Sequence, residues 1–137
     1  MYGVREVYMN VKCVKIEVIK VDFERNINFP KEKKEIPIQL QSEYATSKNP
    51  EDKSARLILH LKIAEDTKEY PFYCGLDVAG FFEWSEMEEK EVKKEIEEQG
   101  SEILFSFIRT YVYDLMQNSG MEPFILPIEH FDTRQEV

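Results

Sequence analysis

Few side chains in this sequence are of the kinds that make and break bonds, and their spacing gives none of them an obvious partner. His60 falls on the polar phase of an alternating stretch and His130 near the end, with no cysteine or further histidine at metal-ligand spacing. A ligand pair would need the fold to bring the two together. Asp77 and the acids of the strand loops could pair as general acid and base, but acids are abundant and most should be solvated. Cys13 and Cys74 are far apart, form no CxxC pair, and read as reduced thiols buried in strands. The five glycines are scattered, which leaves no phosphate-cradling loop. Neither cysteine carries a nucleophile signature, and the serines sit in turns or caps. The expectation is a protein that is not an enzyme, with no catalytic residue, metal or cofactor.

Charge narrows the partners. With 27 acidic against 18 basic residues the net charge is −9, which disfavours nucleic acid, because a phosphate backbone needs clustered Lys and Arg. The same balance disfavours an anionic membrane surface. No apolar run approaches the ~20 residues of a membrane span, and the amino terminus lacks a signal peptide's apolar core. A cytoplasmic location without membrane insertion is therefore expected. At 137 residues the chain is expected to be a single domain, 1–137, able to bury a real core.

The elements that must position any site are read from periodicity. Val14, Ile16 and Val18 share one phase of a strand over about 11–23, and Ile19, Val21 and Phe23 share the other. One extra residue in a bulged strand would produce such a phase change; burial on both faces is the alternative. A polar loop over 25–35 carries Ile27 and Phe29 in its middle. Further strands are expected over about 36–44, 55–63 and 70–78, where Leu57, Leu59, Leu61 and Ile63 alternate most clearly. Short polar loops favour an antiparallel meander. Gly80 is expected to end the sheet, with Phe81, Phe82 and Trp84 following as an aromatic knot.

Ser85 with Glu88 fits a capping box opening a charged helix over about 86–99. Eight Glu and three Lys between Glu83 and Glu98 give it five of the nine net negative charges. A mostly solvated helix is the reading that explains them first, and a docking surface for a basic partner is the weaker alternative. A second helix is expected over about 102–118, capped by Ser101 and stopped by Asn118, Ser119 and Gly120. Ile103, Leu104, Phe107, Ile108, Tyr111, Val112 and Leu115 recur on it at helical spacing, and Met116 and Phe105 extend the face. Their arc covers roughly 220°, more than twice the stripe that one contact surface demands. Such a helix wants two partners, its own sheet and a copy of itself. Pro123 and Pro127 make the segment after it extended. The order β-β-β-β-α-α reads as α+β, a four-stranded antiparallel sheet with two helices packed on one face.

Apolar side chains also crowd the irregular segments: Ile27 and Phe29; Phe81, Phe82 and Trp84; and Phe124, Ile125, Leu126 and Phe131. Singly, such residues often only roof a core. Together they can line an exposed groove, which in a soluble protein marks a binding site.

At several points the sequence resembles the SecB family of protein-export chaperones. Glu102-Ile103-Leu104-Phe105 followed by Arg109 is similar to the family's N-I-L-F-P-Y-A-R helix start. Gly120-Met121-Glu122-Pro123, Leu126-Pro127-Ile128 and Phe131-Asp132 resemble its G-x-x-P, L-x-P-V and N-F-D segment. Phe72-Tyr73-Cys74 and Gly80-Phe81-Phe82 resemble F-L-C and G-G-I-F. The resemblance covers about residues 13–132 and implies an ATP-independent holdase that binds unfolded or precursor polypeptides in apolar grooves for export. Client binding would fall on Ile27, Phe29, Phe81, Phe82, Trp84, Phe124, Ile125, Leu126 and Phe131. It implies a homotetramer built as a dimer of dimers, with Leu104, Phe107, Ile108, Tyr111 and Leu115 at the oligomer interface. The export ATPase SecA would be a partner, although Asn26, Pro30 and Gly75 stand where the family places docking acids, and Ser106 replaces the helix-start proline. A chaperone dedicated to one partner, such as the antitoxin of a toxin–antitoxin system, is the alternative.

Overall fold

The computed structural model describes residues 11–28, 36–65, 67–122 and Leu126. Four strands, β1 (Val11–Arg25), β2 (Ile38–Thr46), β3 (Ser54–Ile63) and β4 (Phe72–Trp84), form one antiparallel sheet in the order β1-β4-β3-β2. Only β2, β3 and β4 make a meander. The first strand pairs with β4, not with β2 as a full meander would require. The connection after Arg25 is long enough to cross the sheet, so sequence neighbours need not be spatial ones.

In β1 the ladder shifts register between Val18 and Lys20, and again between Cys13 and Lys15. The first shift is the bulge that the phase change predicts; Ile19 is the extra residue and stands 55 % exposed. β4 runs six residues beyond its expected end. Gly80 pairs in mid-ladder with Ile16 and Leu57, so Phe81, Phe82 and Trp84 are strand residues and not a knot beyond the sheet. The hairpin between β2 and β3 is held by Ser47 N–H donating to Ser54 O at 3.0 Å and by the Asn49 side chain accepting from Glu51 N–H at 3.1 Å.

The two expected helices are one joined helix. α1 (Glu89–Glu95) passes through a π turn (Ile96–Gly100) into α2 (Ser101–Asn118). Ser101 is no cap: it lies in mid-helix and its hydroxyl donates to Glu97 O at 2.6 Å, a bond that steadies the widened turn. Gly100 keeps a right-handed helical φ of −63°, so it does not act as a breaker. Nor does the Ser85–Glu88 capping box form; Glu88 precedes the first turn without a side-chain cap bond. The stop is as expected. Gly120, at φ +84°, donates to Gln117 O and Met121 donates to Met116 O, each at 3.1 Å, a Schellman closure.

Alternation gives the sheet two faces. Leu57, Leu59, Leu61 and Ile63 of β3 and Phe72, Cys74, Leu76, Val78 and Phe82 of β4 point to the inner face, under α2, and are all at most 2 % exposed. Leu104, Phe105, Ile108, Val112 and Met116 close the core from the helix side. The other face carries no helix among the described residues. The joined helix is tied to β1 just before the π turn and at its carboxyl end: Val11 N–H donates to Glu95 Oε2 at 3.1 Å, and Arg25 Nη1 donates to Ser119 O at 2.9 Å. No helix among the described residues is long and apolar enough to cross a membrane.

Candidate client-binding surface

The helix covers the inner face unevenly. On β3 and β4 the apolar side chains are sealed, but on β1 coverage fails. Cys13, Ile16, Val18 and Phe23 are only half-buried, and Val21 is 39 % exposed. These residues are apolar because they face the core side, yet a single helix is too narrow to roof four strands. On α2 a second row stays half-open: Ile103, Phe107, Tyr111 and Leu115, four residues apart, so that each lies roughly one turn above the last. The rings of Phe107 and Tyr111 stack at 6.1 Å, which makes a firm, broad contact element. Ile27, 77 % exposed just past β1, adds an apolar side chain at the Arg25 end. Two apolar rows, one on each layer, are therefore left half-open by the described residues.

The described members of the expected client-binding set lie in different places. Phe82, fully buried, and Leu126, 1 % exposed, belong to the core. Leu126 is held there partly by Arg109 Nε donating to its carbonyl at 3.1 Å. Phe81 is half-buried on the outer face, between the cross-strand positions of Lys15 and Arg56. Trp84 is half-buried on the inner phase opposite Val11. Ile27 lies at the other end of the sheet. Phe29, Phe124, Ile125 and Phe131 lie outside the described residues. Of the five expected interface residues, Leu104 and Ile108 are fully buried inside the protomer, whereas Phe107, Tyr111 and Leu115 fall on the open row. Sequence reasoning misses Ile16, Val18, Val21 and Phe23 as a half-open apolar row. Their period-two signal is visible, but alternation does not say which strand the helix will leave uncovered.

The structure does join the two residues with chemical potential. His60 Nδ1 lies 2.8 Å from Asp77 Oδ1 on the outer face, beside a shallow cavity of about 230 Å³. A histidine–aspartate pair acts as a base when the other ring nitrogen is open to a nucleophile. Here Glu43 Oε1 stands 3.2 Å from Nε2, and among the described residues no serine, threonine or cysteine lines the adjoining cavity for the pair to activate. Burial pushes the Cys74 thiol up to about 11 and raises Cys13, the reverse of what an activated cysteine needs. Among the described residues no group of three or more His, Cys, Asp or Glu is arranged to hold a metal ion.

Comparison with known proteins agrees with this architecture. The protein is similar in fold to a SecB-like chaperone of Mycobacterium tuberculosis, solved in complex with a ChAD peptide from the HigA1 antitoxin. The identity is 20 %, the TM-score 0.67, and the match covers 88 % of this chain and 91 % of that one. A Streptococcus agalactiae protein of unknown function shares the fold at 12 % identity and a TM-score of 0.50, over 88 % of this chain and 99 % of that one. No curated protein matches in sequence. The family model described as preprotein translocase subunit SecB matches residues 6–133. With that match running over nearly its whole length, the chain belongs to the SecB family.

Proposed function

We propose that this protein is an ATP-independent chaperone that holds unfolded polypeptides on its half-covered apolar rows. The observation that carries the reading is the presence of two half-open apolar rows, Ile16, Val18, Val21 and Phe23 on β1 and Phe107, Tyr111 and Leu115 on α2, in a chain of the SecB family. Each 100 Å² of client apolar surface buried there contributes ~2.5 kcal/mol before ordering costs. Binding by area does not select a sequence, which suits a protein serving many clients. It requires no bond-breaking group.

In this reading the protein works in the cytosol on precursor polypeptides bound for export, as a homotetramer whose copies share the α2 row. SecA is a partner only if the outer face can receive it, and Gly75 there offers no acid. The test is a slowly refolding apolar client mixed with the protein. Refolding and aggregation are delayed at one tetramer per client, and addition of ATP changes nothing. An undelayed client at that ratio overturns the proposal. Pulldown that returns one stoichiometric partner in place of many polypeptides would assign the protein to a single dedicated client, as the antitoxin peptide on the mycobacterial neighbour illustrates.

A further inference from the structure

The outer face of the sheet holds a second device, independent of client binding. Asp77 on β4 pairs directly with His60 on β3, and Glu43 on β2 lies diagonally beyond. The imidazole therefore has a carboxylate at each nitrogen, Asp77 Oδ1 at 2.8 Å and Glu43 Oε1 at 3.2 Å. An ionised carboxylate only accepts hydrogen bonds, and a neutral imidazole has a single N–H. With His60 neutral, one of the two contacts must set a nitrogen lone pair against an anionic oxygen. Only the imidazolium donates to both.

We propose that Glu43, His60 and Asp77 form a proton-operated clasp that ties edge strand β2 to the centre of the sheet when His60 is protonated and releases Glu43 when it is not. The Glu43 end is the one that opens. Its contact is the longer, and the Glu43 side chain is 58 % exposed against 29 % for Asp77. The neutral ring keeps its proton on Nδ1 for the shorter bond. Other groups facing the site are Lys20 and Asp22 on β1, Lys62 on β3 itself, and Tyr73 on β4. The two lysines oppose a third positive charge, and the nearby acids favour it. Partial burial also opposes protonation of His60, yet the hydrogen bonds and charges of Asp77 and Glu43 outweigh it and raise the group above its ordinary 6.5. A raised folded-state value means that the clasp is fully closed below pH 6.5 and is lost as pH rises through that higher midpoint.

The experiment is an NMR titration of the full chain, with the two imidazole signals told apart by their loss in His60→Gln. His60 titrates above 6.5 in the natural chain, and Glu43→Gln lowers that midpoint. Hydrogen exchange of the β2 amides, corrected for intrinsic rates, accelerates through the same midpoint in the natural chain. That step is absent from both Glu43→Gln and His60→Gln. A His60 midpoint unmoved by Glu43→Gln, or the same exchange step in the variants, overturns the clasp. Neither measurement involves a client, so failure here leaves the holdase reading standing.

Discussion

Replacing Gly100 by alanine sets two effects of opposite sign against each other. Gly100 has ordinary helical angles, so on an open helix the added methyl would stabilise by ~1 kcal/mol. Here the new Cβ would sit 2.9 Å from Phe82 Cζ and 3.2 Å from Cε2, where ordinary contact begins near 3.4 Å. The ring cannot swing away. It is fully buried, and Gly80 packs against it from the sheet, so closely that a Cβ there would stand 3.0 Å from Cε1 and 3.1 Å from Cζ. Overpacking a closed core costs ~1–3 kcal/mol, so Gly100→Ala should destabilise by up to ~2 kcal/mol once the propensity gain of ~1 kcal/mol is subtracted. In a Phe82→Leu background the ring edge is gone, and the same change should recover its ~1 kcal/mol gain. The expected coupling between the two positions is therefore ~1–3 kcal/mol. Urea denaturation of the four proteins at one fixed chain concentration measures it, since association shifts the apparent stability of all four. A stabilising Gly100→Ala with no coupling to Phe82 would refute the account of the π turn as a helix pressed down on that ring.

Exposure sorts the remaining perturbations. Leu104→Asp places an unpaired carboxylate in a fully buried site and should unfold the protomer by circular dichroism. Tyr111→Asp, on the half-open row, should keep its helix signal while sedimentation reports a smaller assembly; an unchanged mass removes that row from the interface. Ile27→Ser, at a 77 % exposed position, should change stability by no more than ~0.5 kcal/mol and shorten client holding, and full holding by this variant excludes Ile27 from the surface. With its thiol pushed up to about 11 by burial, Cys74 should resist alkylation at pH 8 until denaturant is added. Peptide mass mapping that finds Cys74 labelled as fast as Cys13 in the native protein contradicts its placement in the core.

Some of this architecture is set within a few residues and is legible from sequence. Leu57 to Ile63 alternate because a strand places successive side chains on opposite faces, and they form β3. Leu104, Ile108, Val112 and Met116 recur because a helix returns to the same face every three to four residues, and Gly120 ends that helix because it can adopt a positive φ. The bulge at Ile19 shows as a phase change.

Tertiary packing decided the rest, because it depends on residues far apart in the chain. No local pattern states that β1 lies beside β4, that Gly100 fits against Phe82 and lets the helix run on, or that His60 meets both Asp77 and Glu43. Phe82 and Ile27 look equally fit for a groove in sequence, yet one is sealed under α2 and the other is open. Hydrophobicity specifies that a side chain gains by leaving water. Where the one joined helix comes to rest determines which of them do, and which are left half-open on β1 and α2 among the described residues.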